Sequence, residues 1–103
     1  MDMELFVEML GIDSTSGKEA EFADFLSERL LTSKCRVEKF DVEDGTVNLL
    51  FSWGKPEVVF CSHLDTVPPY IPPTIEGDVV KGRGSCDAKG QIMAMYEACL
   101  VLE

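Results

Sequence analysis

The sequence predicts an α/β domain, a sheet of few strands flanked by helices. Three observations point there. Two early segments repeat apolar residues at helical spacing, the middle of the chain shifts to a two-residue alternation and then a short unbroken apolar run, and the closing segment is helical again. The chain has 103 residues, 46% of them apolar and 27% charged, which fits one small globular domain rather than a disordered segment.

The first helix is capped by Asp2, carries Leu5, Phe6, Met9 and Leu10 as one apolar stripe, and stops at Gly11. A second helix begins after Ser16. Ser16 and Glu19 have the spacing of a capping box, in which each side chain satisfies a backbone N–H at the helix start. Phe22, Phe25, Leu26 and Leu30 form its apolar face, with Glu21, Asp24 and Glu28 elsewhere on the wheel. Cys35, Val37 and Lys39 then alternate with Arg36, Glu38 and Phe40, a strand period. Asp44-Gly45 signals a turn, and Val47 to Phe51 reads as the returning strand.

After Gly54-Lys55-Pro56, the run Val58-Val59-Phe60-Cys61 has no polar alternation. It is expected to be a central strand buried on both faces. Between Pro68 and Pro73, four prolines in six residues exclude regular structure and stiffen the loop. Ile75 and Val79-Val80 flank Glu76-Gly77-Asp78, a small hairpin. Lys89 to Glu103 is the closing helix, with Ile92, Met93, Tyr96, Cys99 and Leu100 on one side. It lacks a Gly, Asn or Pro stop signal, which suggests a chain cut from something longer.

Charge narrows the partners. Nineteen acidic residues against nine basic ones give a net charge of −10, which argues against nucleic acid and against an anionic membrane. No stretch is apolar for long enough to span a bilayer, and the opening Met1-Asp2-Met3-Glu4 lacks the positive region of a secretory signal, so a cytoplasmic location is expected. None of Cys35, Cys61, Cys86 and Cys99 forms Cys-x-x-Cys. Cys61 and Cys99 are expected to be reduced and buried. Cys86, beside Asp87, is either a thiol ligand or a packing residue, with packing favoured.

The chemistry concentrates in two segments. His63, the only histidine, stands with Asp65 at the carboxyl end of the expected central strand, where α/β sheets place their ligands. Residues two apart on extended chain share a face, and a carboxylate can accept the second ring N–H of a metal-binding imidazole. A hydrogen-bonded loop histidine beside a turn-forming aspartate is the plainer alternative. Asp87 lies between Gly84 and Gly90, just before the closing helix, where the helix dipole favours a charged, ligating carboxylate. A simple helix cap is its alternative. Arg83 and Lys89 could take an anionic substrate group or pair structurally, and structural pairing is favoured. Tyr70 and its prolines read as a rigid surface loop that could also rim a substrate mouth. Met93, Met95 and Tyr96 read as helix core, and Trp53 as a half-buried strand end.

Ser62-His63-Leu64-Asp65-Thr66-Val67-Pro68, followed by Gly82-Arg83-Gly84-Ser85-Cys86-Asp87-Ala88-Lys89-Gly90, resembles the zinc-dependent aminoacylase and carboxypeptidase family of acetylornithine deacetylase and succinyl-diaminopimelate desuccinylase. Ser16-Gly17-Lys18-Glu19 is similar to that family's opening. The resemblance implies that residues 1–103 are the N-terminal part of a zinc-peptidase-like catalytic domain, without the rest of that domain or a dimerisation domain. It implies that His63 binds zinc, that Asp65 orients His63 as the active-site aspartate, and that Asp87 bridges two zinc ions next to a cis Asp87–Ala88 peptide. Cobalt is an alternative metal. The implied reaction is hydrolysis of an N-acyl amino acid, acetylornithine-like or acetylcitrulline-like, by zinc-activated water in a homodimer. A short peptide, cut by a dipeptidase, tripeptidase or carboxypeptidase, is the alternative substrate. The general base and remaining ligands are expected beyond Glu103, so the fragment is expected to be inactive and to self-associate. Pro69-Tyr70-Ile71-Pro72-Pro73 departs from the longer family loop, which leaves substrate choice open. A reading of another class, a non-catalytic acidic α/β binding module, treats His63 and Asp87 as structural.

Overall fold

The computed structural model describes residues 2–42 and 46–103. The elements are α1 (Met3–Leu10), α2 (Ala20–Arg29), β1 (Cys35–Asp41), β2 (Val47–Trp53), β3 (Thr74–Glu76), β4 (Val79–Lys81) and α3 (Lys89–Leu102). The fold is α/β, and its strands form two separate antiparallel pairs, β1 with β2 and β3 with β4. Among the described residues no helix is long and apolar enough to cross a membrane.

The helices form as their local signals dictate. Asp2 accepts a hydrogen bond from the Leu5 N–H at 3.0 Å, capping α1. Leu5, Phe6, Met9 and Leu10 of α1, Phe22 and Leu26 of α2, Leu30 just after it, and Met93 of α3 meet in one buried cluster. Each such side chain contributes about 1.5–3 kcal/mol by leaving water. Leu49 and Phe51 of β2 pack on its margin, which lays the β1–β2 hairpin against α2. The alternation read in β1 is matched by a seven-residue ladder from Cys35 opposite Trp53 to Asp41 opposite Val47. The expected Asp44-Gly45 turn lies outside the described residues. The Glu76-Gly77-Asp78 hairpin forms, with Gly77 at φ +59°.

Three expectations are corrected. Val58-Val59-Phe60-Cys61 is not a central strand. Among the described residues it pairs with no strand, and Val58, Val59 and Phe60 are 71%, 80% and 50% exposed. An unbroken apolar run is buried only where another strand or helix covers it, and among the described residues none does. Cys61 and Cys86 are both exposed rather than packed, while Cys99 is half-buried; all four cysteines are free.

The third correction concerns Ser16 and Glu19. Glu19 accepts from the Gly17 N–H rather than from Ser16, and α2 starts without a side-chain cap. The Ser16 hydroxyl instead reaches Asp65, 49 residues downstream. This belongs to a larger splice between the two segments. Thr15 and Thr66 form a parallel bridge, the Thr66 N–H donates to Ser14 O (2.9 Å), and the Ser16 N–H donates to Thr66 O (3.0 Å). The Ser14 hydroxyl closes the lacing on Leu64 O (2.8 Å).

Candidate metal centre

Two loops carry the candidate residues, and each is pinned to the C-terminal end of α1 or to the segment after it. The 64–66 stretch is held by Ser14, Thr15 and Ser16, which fixes the backbone on either side of Asp65 and next to His63. The 82–88 loop is anchored from its far side by Lys89. This side chain is 1% exposed and donates from Nζ to Met9 O (2.9 Å) and Ile12 O (2.6 Å), with Nζ 4.4 Å from the centre of the Phe22 ring.

The last carbonyls of a helix lack partners within it, and a cation is favoured at that end. Lys89 meets both needs for α1, and the Tyr70 hydroxyl takes Leu10 O in the same way at 3.1 Å. Burial pushes the Lys89 ammonium down to about 8. Arg83 also pairs structurally, donating from Nε to Pro69 O (2.9 Å) and from its backbone N–H to Ile71 O (2.9 Å). Both cations thus hold carbonyls, as the structural reading of them anticipated.

Two glycines let the loop close. Gly84 has φ +97°, a region that side-chain-bearing residues resist. At Gly90 a Cβ would stand 2.6 Å from Ser85 O, so only glycine allows α3 to begin that close to the loop.

His63, Asp65 and Asp87 come together on this frame. His63 Nδ1 lies 2.8 Å from the backbone carbonyl of Asp65 and 3.2 Å from its Oδ1. His63 Nε2 lies 2.9 Å from Asp87 Oδ1. The nearest acceptor for Nδ1 is therefore the main chain of Asp65, with its carboxylate behind. The Asp87–Ala88 peptide is cis. The three residues line a cleft of about 340 Å³ together with Val67, Arg83 and Cys86. His63, Asp65 and Asp87 have side chains 49%, 43% and 80% exposed, so the cleft is open. The Asp65 carbonyl, and then the Asp87 carboxylate, raise the His63 pKa by accepting from its protonated ring.

This arrangement can hold a cation between a nitrogen and an oxygen. With Nδ1–H donating to Asp65, the ring turns Nε2 toward Asp87, and imidazole nitrogen with carboxylate oxygen is a donor set zinc accepts. Donors about 2.0–2.2 Å from one tetrahedral zinc stand roughly 3.4 Å apart, so the 2.9 Å pair would open by about half an ångström to take the ion. Among the described residues no group of three or more His, Cys, Asp or Glu converges on a metal position. The pair therefore fits part of a zinc site.

Ser16 is a participant that sequence reasoning assigned to the helix. Its hydroxyl donates to Asp65 Oδ2 at 2.8 Å. The signal that could have found it is Asp13, whose carboxylate already accepts from the Thr15 N–H and hydroxyl and bends the chain ahead of Ser16.

Residues 59–103 match the family described as Peptidase family M20/M25/M40. The chain belongs to that family. A LysW-lysine/LysW-ornithine hydrolase of Sulfurisphaera tokodaii is 38% identical over 99 residues, covering 96% of this chain and 27% of that protein. A peptidase M20 domain-containing protein of Schizosaccharomyces pombe is 38% identical over 106 residues, 97% of this chain and 26% of its own length. A protein of Emericella nidulans named as a probable carboxypeptidase is 34% identical over 110 residues, 95% of this chain and 26% of its own length. The chain thus spans about a quarter of the length of these relatives. No solved structure matches it.

Proposed function

We propose that this chain supplies His63 and Asp87 to the metal centre of an M20 amidohydrolase, and that the whole protein cleaves a linear amide on an amino acid. The observation that carries the reading is the 2.9 Å approach of His63 Nε2 to Asp87 Oδ1, with Nδ1 held by Asp65. The family membership supports hydrolysis, and the relatives' names, a hydrolase of LysW-lysine and a carboxypeptidase, both describe cleavage at an amino acid. An N-acyl amino acid such as acetylornithine or acetylcitrulline is the proposed substrate. The carboxypeptidase name favours a short peptide as the second reading.

A zinc ion held by His63 and Asp87 would supply Lewis-acid charge suited to amide hydrolysis. His63 offers a neutral Nε2, Asp65 fixes which ring nitrogen carries the proton, and Asp87 adds negative charge opposite Nε2. A catalytic zinc site generally uses three protein ligands. Two donors from this chain leave the remainder, and the general base, to residues outside it. A reducing compartment, the cytoplasm, suits the four free cysteines, two of them exposed.

Isothermal titration with zinc tests the metal reading. The chain binds zinc, and His63→Ala and Asp87→Ala each weaken binding at least about tenfold. Equal affinity in all three proteins overturns it. The isolated chain should give negligible turnover of acetylornithine or a dipeptide, and turnover at an ordinary enzyme's rate would overturn the shared-site reading.

A further inference from the structure

We infer that Ser16 is a positioning residue of the metal centre, acting through Asp65 on His63. The inference rests on the proposed metal role of His63 and extends it to a residue of the N-terminal segment. Asp65 divides its carboxylate between two partners. Oδ2 accepts from the Ser16 hydroxyl at 2.8 Å, and Oδ1 faces His63 Nδ1 at 3.2 Å. His63 Nε2 then meets Asp87 Oδ1 at 2.9 Å. One chain of contacts therefore runs from Ser16 through Asp65 and His63 to Asp87.

The torsion that turns an aspartate carboxylate is broad, so the backbone alone does not set the tilt of its plane toward the ring. A hydroxyl fixed on one oxygen sets that tilt and keeps the other oxygen toward Nδ1. Ser16 is itself fixed, because its N–H donates to Thr66 O at 3.0 Å and the Lys18 N–H closes the next turn on Thr15 O at 2.8 Å. Gly17, at φ +95°, lets the chain swing away immediately afterwards. The Ser16 side chain is thus delivered to Asp65 by the same splice that holds the main chain around Asp65.

Partners in the outer shell of a metal site are worth about 10–100-fold in affinity, and Ser16 stands one step further out, so its removal should cost roughly fivefold. The experiment compares zinc affinity by isothermal titration in wild type, Ser16→Ala, Ser16→Thr and Ser27→Ala, with melting temperatures recorded for each. Ser27 is the control, since its hydroxyl bonds only Asp24 O within α2. In the metal-free proteins, the ¹⁵N shift of Nδ1 in the single histidine reports the carboxylate beside it. Ser16→Ala should weaken zinc about fivefold, move the Nδ1 shift and leave the melting temperature unchanged, whereas Ser16→Thr restores both readouts and Ser27→Ala alters neither.

Wild-type zinc affinity in Ser16→Ala with an unchanged Nδ1 shift overturns the role of Ser16. So does a loss that Ser16→Thr fails to restore. Zinc binding by wild type that is indifferent to His63→Ala defeats the metal reading instead, and the two failures are thereby told apart.

Discussion

Gly90→Ala separates local helix preference from the packing of the ligand loop. Gly90 is the second residue of α3, and alanine is the better helix former by up to about 1 kcal/mol. On propensity alone the substitution stabilises. The structure dictates the opposite sign. The new Cβ would stand 2.6 Å from Ser85 O, closer than real Cβ atoms come to a neighbour, and the obstacle is backbone rather than a side chain that can swing aside. Overpacking of this kind costs about 1–3 kcal/mol. At 2.6 Å from fixed backbone the cost lies in the upper half of that range, so after subtracting the helix gain a net loss of about 1–2 kcal/mol remains, or roughly 4–16 °C in melting temperature for a domain of this size. Thermal unfolding followed by circular dichroism measures it. Ala94→Gly, at an exposed site of the same helix, isolates the propensity term and should cost about 1 kcal/mol. Zinc affinity should also fall in Gly90→Ala, because the displaced segment carries Asp87. A Gly90→Ala protein that melts at or above the wild-type temperature would refute the close approach.

Other perturbations follow from the same contacts. The His63 pKa is raised, chiefly by the Asp65 carbonyl and then by Asp87, so its contribution to stability is complete below 6.5 and is lost as pH rises through the higher folded value. The ring proton resonance of the lone histidine should titrate above 6.5, and Asp87→Asn should bring it back toward that value. Zinc binding should strengthen with pH over the same range, because the metal competes with the ring proton. Lys89 shows the reverse sign. Its folded pKa of about 8 lies below the ordinary 10.5, so the unfolded chain binds more protons between them and stability from this group rises from pH 8 to 10.5, by something on the order of 3 kcal/mol. Urea unfolding of Lys89→Met should lack that rise relative to wild type. The exposed run Val58-Val59-Phe60, with Val101 and Leu102 at 85% and 81% exposure, should drive concentration-dependent association in light scattering, and Val59→Lys should reduce it.

What was legible in the sequence was local. Asp2, the Leu5-Phe6-Met9-Leu10 stripe and the Glu76-Gly77-Asp78 turn each carry their cause within a few residues, and each forms as read. His63, Asp65 and Asp87 stand out for a different reason. Their two motifs carry residue types that suit a metal, and the fold brings the three side chains together. Ser16 was misread because a capping box is a rule about neighbours, while its acceptor lies 49 residues away. Lys89 reads as a structural partner, but nothing near it in the sequence announces which partners it has, the carbonyls of Met9 and Ile12 some 80 residues back. Val58 to Cys61 was misread because an apolar run states what a segment can bury against, not whether a neighbour arrives to cover it.

The opening helix holds none of the candidate ligands, yet two side chains from the loop regions around them, Lys89 and Tyr70, are fastened to its final carbonyls. Trimming the first ten residues, a routine step when shortening a protein for crystallisation, would cut these moorings and unseat the neighbourhood of Asp87 from a distance. A variant so shortened would be misjudged as a ligand defect although every donor atom was still present, so the first turns of chain have to be kept whenever the metal chemistry is assayed.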